Sequence, residues 1–406
     1  MDKTPGGAYA WAMLALATGS SAAATMVIGA GGFLIPALLA QRGLSLSQAG
    51  LVAAMTSLGI TLTLIGWGFL IDRYGERWTL AAGLALAGLS TWAATAQEDP
   101  RWIGGWFFLA GMACGSTNAA SGRIVVGWFP KERRGLAMGI RQMAQPLGMG
   151  VDALALPVLA KQHGLGTALA VPAVAVLAFA VLAAAFAGLP ETEGTMSAAA
   201  ESGANPYREG SFLWLIHGVS VLLVIPQNLV WTYMFTWLNH ALGWRETTAG
   251  ALVAVANGLG AVGRVGAGVW SDRVGSRTWT IRAIAAIAAA TLGGLTLASW
   301  GHATVPAVAL MVVACVITCA DNGLAFTSVA EFAGPRWSGR ALGAQNTCQY
   351  IASFLVPPCF GWLIDASSYT WAFGASAAVA ASAIPFVPRD QGDRARREVS
   401  APSGGR

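Results

Sequence analysis

Four charged residues lie deep inside long apolar stretches of this sequence: Arg141, Asp152, Arg264 and Asp321. A charge in such a position is costly, so it usually faces an aqueous cavity or an opposite charge. A guanidinium can donate two parallel hydrogen bonds to a carboxylate, and a buried carboxylic acid can take up and release a proton. These residue types therefore predict a site that binds an organic anion through arginine and couples it to protons.

Arg264 is the first candidate for the anion ligand. It lies eight residues before Asp272, so it is about 12 Å along a helix from the end of its apolar stretch. No acid close to it in the same stretch neutralises its charge, and the alternative role is an ion pair with an acid on another helix. Arg141 and several neutral amides are further candidates for substrate binding. The amides are Asn118, Gln142, Gln227, Asn228, Asn322, Gln345 and Asn346.

Asp321 is the deepest acid, near the middle of its apolar stretch and next to Asn322. Proton coupling is the first interpretation. Pairing with Arg264 or Arg141, and purely structural hydrogen bonding, are the alternatives. Asp152 is the second candidate for proton coupling.

The elements that position these residues are membrane-spanning helices. Apolar residues make up 55% of the 406 residues and charged residues 11%, less than half of the ~25% usual in a soluble domain. About 20 apolar residues can cross a bilayer as a helix, which predicts an all-α membrane protein with twelve spans. The predicted spans are 9–40, 47–70, 78–96, 102–128, 136–160, 165–189, 211–241, 247–270, 279–300, 305–332, 341–364 and 368–387.

The distribution of Lys and Arg predicts the orientation of these spans, because cytoplasmic loops are enriched in both. Most of the basic residues fall on one side when both termini are placed in the cytoplasm. We therefore expect a multi-pass protein of a bacterial inner membrane, with a six-helix bundle over 1–189 and another over 211–387. The polar segment 190–210 is predicted to be a cytoplasmic linker, and 388–406 a disordered cytoplasmic tail.

An internal repeat relates the two predicted bundles. Gly68, Asp72, Arg73, Gly75 and Arg77 recur in the second half as Gly, Asp, Arg, Gly and Arg, each 200 positions later. Asn118 and Asn322 are related by a similar offset of 204. A duplicated six-span unit explains both offsets, and such repeats place a substrate site between equivalent positions of two halves.

The first copy, Gly68-Phe-Leu-Ile-Asp72-Arg73-Tyr-Gly75-Glu-Arg77, resembles the G-x-L-x-D-R-x-G-x-R loop motif of the major facilitator superfamily. The resemblance implies two pseudo-symmetric six-helix bundles that rock about a central site, with these loops controlling the motion. Arg123 is expected to pair with the Asp72 loop, and Glu331 with Arg273 or Arg277. The predicted gating residues are those of the two loops together with Arg123 and Glu331: Asp72, Arg73, Gly75, Arg77, Arg123, Asp272, Arg273, Gly275, Arg277 and Glu331.

Three further stretches resemble one branch of that superfamily. Residues 6–11, Gly-Gly-Ala-Tyr-Ala-Trp, and the stretch from Trp128 to Ala137 are similar to motifs of monocarboxylate transporters. Gly263-Arg264 resembles span eight of monocarboxylate and oxalate–formate carriers, in which an arginine binds the substrate carboxylate. Drug efflux is the alternative, although Gln145-Pro146-Leu-Gly-Met-Gly150 retains only part of the glycine-rich motif of proton-driven exporters.

No constellation for covalent chemistry is found in the sequence. A phosphate-binding G-x-x-x-x-G-K-[ST] loop is absent, the four histidines are scattered, and no His or further Cys completes a metal set with Cys315 and Cys319. We therefore predict a monomeric secondary transporter rather than an enzyme, with no cofactor, metal or nucleic acid. Its expected partners are a mono- or dicarboxylate, protons or a counter-anion, and the lipid bilayer.

Overall fold

The computed structural model describes residues 7–129, 137, 140–187, 205–208 and 210–388, and all regular structure within these ranges is helical. Twelve helical segments correspond to the twelve predicted spans. In chain order they are α1 (Ala8–Arg42), α2 (Leu46–Ile71), α3 (76–94), α4 (Pro100–Trp128), α5 (Ile140–His163), α6 (Leu165–Phe186), α7 (Phe212–Ala241), α8 (Glu246–Val274), α9 (Arg277–Trp300), α10 (Thr304–Gly334), α11 (Gly339–Ala366) and α12 (Tyr369–Ala383).

Nine of these segments, counted over the described residues, are each long and apolar enough to cross a bilayer. The other three are α3, α4 and α12. The helices begin and end within a few residues of the predicted bounds, as for α1, predicted over 9–40 and found over Ala8–Arg42. The predicted all-α membrane fold of twelve helices is confirmed.

Glycines with positive φ produce the sharp turns between consecutive helices. Gly75 interrupts a helical run that otherwise extends over Leu46–Ala94, and its φ is 77°. Gly275, its repeat partner between α8 and α9, has a φ of 69°. A side chain with a Cβ is strained in this region, whereas glycine is not. The repeated glycines therefore permit these turns.

The helix α10 is interrupted in its middle, where the sequence predicted a continuous helix over 305–332. Its first part ends at Ile317 and its second part begins at Asn322. The side chains of Thr318 and Cys319 donate to backbone carbonyls one turn earlier, at 2.7 and 3.3 Å. Such bonds compete with the helical pattern. The prediction was therefore wrong at 318–321, where four residues leave the helix.

The chain divides into two compact units. The first comprises Met1–Ala199, Asn228–Ala261 and Tyr350–Ala372, and the second comprises Ala200–Gln227, Val262–Gln349 and Phe373–Arg406. Each has its own apolar core, which includes Ile60 and Leu84 in the first unit and Leu213 and Ile281 in the second. These units do not follow the order of the chain, so the predicted bundle boundaries stay a prediction. The linker lies largely, and the tail beyond residue 388 wholly, outside the described residues.

Helices of the first unit pack closely at glycines. A Cβ on Gly59 would lie 2.1 Å from the carbonyl oxygen of Phe108, and a Cβ on Gly111 would lie 2.1 Å from that of Thr56. Backbones of α2 and α4 can approach this far only because both positions lack a side chain. Small residues at helix contacts are how membrane helices gain van der Waals packing without a hydrophobic driving force.

The N-terminus of α2 is capped by residues of its own first turn and by a carboxylate of α11. Ser45 and Gln48 form a reciprocal capping box, in which each side chain accepts from the other residue's backbone N–H. The Asp365 carboxylate at the end of α11 accepts from the backbone N–H groups of Leu46 and Ser47, at 3.2 and 3.0 Å. A carboxylate there satisfies two N–H groups that have no helical partner and favours the positive end of the helix.

Candidate functional site

Arg264 lies at the interruption of α10. The preceding residue, Gly263, is so close to α10 that a Cβ on it would lie 2.7 Å from a methyl carbon of Val316. This close approach brings the guanidinium of Arg264, which is half-buried on α8, within hydrogen-bonding reach of the Cys319 thiol. Arg264 is also near enough to Asp321 for an electrostatic interaction. A cation on α8 and a carboxyl group on α10 therefore lie near each other at the non-helical segment of α10.

Asp321 is the last residue of that non-helical segment, and 2% of its surface is exposed. Its backbone carbonyl accepts from the N–H of Ala325 at 2.9 Å, which starts the second part of α10. The interrupted helix thus presents a new N-terminus beside Arg264, and both features favour negative charge. Asp321 thus lies near one of the two arginines that the sequence analysis considered as its partner, and its roles in proton coupling and ion pairing stay predictions.

Polar side chains of α7, α10 and α11 are joined by hydrogen bonds in the second unit. The amide of Asn322 donates to Gln227 Oε1 at 3.0 Å. Gln349 Nε2 donates to Ser220 Oγ at 2.6 Å and is 3.5 Å from the Asn322 amide oxygen. Gln345 Nε2 donates to the same Ser220 hydroxyl at 3.3 Å. Of the predicted substrate-binding amides, Gln227 and Asn322 are therefore bonded directly, and Gln345 joins them through Ser220 and Gln349.

His217 extends this network towards the start of α7. Its Nδ1 is 2.9 Å from Gln345 Oε1, and its Nε2 is 3.0 Å from the Tyr207 hydroxyl. Because Gln345 Oε1 is an acceptor, the Nδ1 of His217 carries the proton and Nε2 accepts from the tyrosine. His217 is 6% exposed. It therefore joins helices as a hydrogen-bonded histidine with one defined tautomer.

A second polar cluster forms in the first unit around Arg141. Its Nη1 donates to Ser121 Oγ at 3.1 Å, and Ser121 in turn donates to a backbone carbonyl of α4 at 2.6 Å. Asn118, one turn earlier on α4, donates from Nδ2 to the hydroxyl oxygen of Tyr350 at 3.0 Å. Arg141 and Tyr350 are near enough to interact electrostatically. Two predicted binding residues, Asn118 and Arg141, are thus brought together by Tyr350.

Asp152 is fully buried on α5. Neither carboxyl oxygen has a hydrogen-bond partner among the described residues. A Cβ placed on Gly29 would lie 3.1 Å from its Oδ2, so α1 passes close to the acid at a glycine. This environment differs from that of Asp321, which lies beside a cation.

The other predicted binding amides are less closely associated with an arginine. Asn228 donates to Ser353 Oγ at 3.0 Å, between α7 and α11. Asn346 donates to a backbone carbonyl of its own helix at 3.1 Å. Gln142 is exposed next to Arg141. The structure therefore assigns Asn228 a contact between helices and Asn346 one within α11.

The second repeat loop contains an ion-pair cluster. The Arg277 guanidinium donates through Nε and Nη2 to the two carboxylate oxygens of Glu331, each at 2.9 Å, and its Nη1 is 3.5 Å from Asp272. Glu331 thus pairs with Arg277, one of the two partners that the sequence predicted for it. The bidentate geometry connects the start of α9 to the second part of α10. Arg273 is exposed nearby on α8.

The first repeat loop makes different contacts. Arg77 donates from Nε to the backbone carbonyl of Ala184 at 2.6 Å, at the end of α6. Arg73 is exposed, and its guanidinium lies 5.5 Å from the centre of the Tyr74 ring. The side chains of Asp72 and Arg123 lie outside the described part of the structure, so their predicted ion pair stays a prediction.

Tyr350, Gln349, Ser121 and Ser220 are polar residues of these clusters that the sequence analysis did not single out. Helical spacing could have indicated two of them, because residues four positions apart lie on the same face of a helix. Gln349 lies four positions after Gln345, and Tyr350 lies four positions after Asn346. The two serines gave no comparable signal. A hydroxyl within a membrane helix usually bonds to its own backbone, and only the tertiary contact distinguishes it.

The fold has twelve helices, nine of which, over the described residues, are long and apolar enough to cross a bilayer, and their interiors carry arginine, carboxyl and amide groups. Such an arrangement is typical of a multi-pass membrane transporter rather than an enzyme. The model of the Major Facilitator Superfamily matches residues 14–357 of the chain. The chain belongs to this superfamily.

Known relatives and solved structures agree with this assignment. An uncharacterised MFS-type transporter of Mycobacterium tuberculosis is 44% identical over 389 residues, which cover 96% of this chain and 87% of the relative. A probable sulfoacetate transporter of Cupriavidus necator is 24% identical over 377 residues and 87% of each chain. The crystal structure of a D-xylose–proton symporter superimposes with a TM-score of 0.77 at 16% identity, over 94% of this chain and 98% of that one.

Proposed function

We propose that this protein is a secondary active transporter of a small organic anion, a mono- or dicarboxylate, which it carries by proton symport or anion exchange. The proposal places it with the monocarboxylate and oxalate–formate carriers that its sequence resembles. Transport follows an alternating-access cycle, in which substrate binding must favour one conformation over the other to shift their populations.

The observation that carries the proposal is the position of Arg264 at the interruption of α10. A guanidinium there has the geometry to bind a carboxylate through two hydrogen bonds. The N-terminus of the second part of α10, which begins at Asn322, adds the partial positive charge of a helix end. Broken helices whose half-helix ends point at anionic groups are a recurrent form of substrate site in membrane transporters.

Asp321 is proposed to couple the anion to a proton. Its carboxyl group lies near enough to the Arg264 guanidinium for an electrostatic interaction. A substrate carboxylate that binds Arg264 competes with Asp321 for the same cation, and the displaced acid takes up a proton. Proton and anion then enter the site together, which is symport. Asp152 is proposed as a second proton site because it is fully buried without a hydrogen-bond partner among the described residues.

The relatives support an anionic substrate. Sulfoacetate, the compound in the name of the Cupriavidus necator relative, combines a carboxylate with a sulfonate. Both groups are oxyanions that a guanidinium recognises. Further parts of the proposal are the inner-membrane location, the cytoplasmic termini, the monomeric state and a gating role for the two repeat loops, in which the Arg277–Glu331 pair opens and closes during the cycle.

The test is uptake by the purified protein in liposomes with an imposed pH gradient, using labelled lactate, pyruvate, oxalate and succinate. We expect uptake of at least one of these carboxylates by the parent protein. Arg264→Ala is expected to reduce it at least a hundredfold, because an interaction with a charged group of roughly 3 kcal/mol is lost. Arg101→Ala, which removes an exposed arginine before α4, is the control and should transport normally.

Folding of Arg264→Ala is checked by its elution as a single species in detergent. Normal uptake by a folded Arg264→Ala variant would remove Arg264 from the site. Uptake of none of the four carboxylates by the parent protein would contradict the proposed substrate class.

A further inference from the structure

We infer that Tyr350 is a specificity-determining residue whose hydroxyl donates a hydrogen bond to an oxyanion group of the transported substrate, next to Arg141. This inference rests on the proposed function and adds to it a second anion-binding position, in the first unit, that does not involve Arg264.

The Tyr350 hydroxyl accepts one hydrogen bond and has an O–H donor that is not used among the described residues. Its oxygen accepts from Asn118 Nδ2 at 3.0 Å, and a phenol carries one proton of its own. No described residue accepts that proton in a hydrogen bond. Asn118 therefore holds the phenol oxygen in place, while the O–H remains available for a ligand.

Arg141 supplies the positive charge beside this hydroxyl. Among the described residues it has no acidic partner, and its only hydrogen bond goes from Nη1 to the neutral Ser121 hydroxyl at 3.1 Å. Its Nε is buried and has no hydrogen-bond partner in the described part of the chain. A largely buried cation without a counter-charge is costly, and an anion that reaches it relieves this cost.

The location of the cluster fits a cavity rather than lipid. Asn118 is exposed although it lies on the apolar helix α4, ten residues before the helix ends at Trp128, which is about 15 Å from that end. Exposed amides at such depth face water-filled cavities, because contact with lipid chains would leave their hydrogen-bonding groups unsatisfied. The ring of Tyr350 packs against the apolar core of the first unit, which orients the hydroxyl.

The chemistry of these donors selects the ligand. A guanidinium N–H and a phenol O–H can each donate to a different oxygen of one carboxylate or sulfonate group. A neutral solute lacks the charge that Arg141 requires. The cluster thus favours an oxyanion. Arg141 attracts its charge, and the Tyr350 hydroxyl favours anions that have an oxygen in position to accept its hydrogen bond.

The experiment compares Tyr350→Phe with the parent protein in the liposome assay, using lactate, pyruvate, oxalate, succinate and sulfoacetate. The substitution keeps the ring and removes only the hydroxyl. We expect KM for the transported anion to rise about tenfold with little change in maximal rate, and the order of preference among the anions to change, because one hydrogen bond to a charged group is lost.

Tyr233→Phe is the matched control. The Tyr233 hydroxyl, also in the first unit, donates to the backbone carbonyl of Pro357, so its proton is already used inside the protein. We expect this variant to lose thermal stability while its KM stays that of the parent. Tyr350→Phe should show a raised KM and a smaller loss of melting temperature than Tyr233→Phe, because the exposed Asn118 amide that loses its acceptor can bond to water instead.

An unchanged KM and anion preference in Tyr350→Phe would overturn the inference and leave the proposed function intact. A slower maximal rate with unchanged KM would also overturn it, because that result assigns Tyr350 to a conformational step. If Arg264→Ala transports normally while Tyr350→Phe has a raised KM, the inference stands and the role of Arg264 falls. A parent protein that takes up none of the five anions would overturn both.

Discussion

At the scale of single residues, two buried acids in similar helices have opposite surroundings. Asp321 lies beside Arg264, whereas Asp152 lies near a glycine of α1 and has no hydrogen-bond partner among the described residues. The protonation of an acid next to a cation changes when another anion binds that cation. The protonation of a buried acid without hydrogen-bond partners changes mainly when water reaches it. This difference predicts distinct functional effects for the same substitution at the two sites.

Asp321→Asn is expected to abolish accumulation against a gradient while it preserves exchange of labelled for unlabelled anion. The amide keeps the size of the side chain but cannot take up a proton, so the site still binds anion without coupling. The measurement is uptake driven by a pH gradient, compared with counterflow at equal pH on both sides. Retention of full gradient-driven uptake by Asp321→Asn would exclude Asp321 as the coupling acid and direct the same test to Asp152.

At the scale of helices, close packing depends on glycines at particular positions. Gly59 and Gly111 allow α2 and α4 to approach until the backbone of one lies where a side chain of the other would be. At Gly263 on α8, a Cβ would lie 2.7 Å from a methyl carbon of Val316 on α10. The missing side chain therefore lets α8 pass close to α10, next to Arg264. The local backbone therefore decides which helices meet and which polar groups become neighbours.

Gly111→Ala is expected to destabilise the protein by about 3 kcal/mol or more, because the new methyl group would lie 2.1 Å from the carbonyl oxygen of Thr56 and neither backbone can yield cheaply. The matched control is Gly66→Ala on α2, where nothing lies within 4 Å of the added carbon. Thermal unfolding of both variants in detergent measures the difference. Equal melting temperatures would show that α2 and α4 are not packed as described.

At the scale of the whole molecule, twelve helices and the superfamily assignment establish a multi-pass transporter, and the orientation in the membrane is the next property to measure. Twelve crossings, as the sequence predicts, would place both termini on the same side. The excess of Lys and Arg in one set of loops predicts that this side is the cytoplasm.

Cysteine labelling tests the orientation. A single cysteine at position 200, in a background without native cysteines, is expected to react with a membrane-impermeant maleimide only after the membrane is opened. A cysteine at position 44, which replaces the leucine in the turn between α1 and α2, should react in intact cells. Reaction of position 200 in intact cells would contradict the predicted orientation.

Much of the fold could be predicted from the sequence, because membrane helices have a strong and local signal. Twenty consecutive apolar residues must form their hydrogen bonds within the segment, so each span is determined by its own composition. The repeat at an offset of 200, with glycines that permit positive φ at positions 75 and 275, likewise depends on short stretches of sequence.

Only the tertiary structure decided the details of the candidate site. The interruption of α10 arises where side chains compete for backbone carbonyls, and an apolar run as a whole conceals it. The partnership of Asn118 with Tyr350 joins residues 232 positions apart, and that of Arg264 with Cys319 depends on how closely α8 approaches α10. Composition determines that a segment becomes a membrane helix. Which of its faces meets which neighbour depends on shape complementarity along two helices at once, and no local stretch of sequence contains that information.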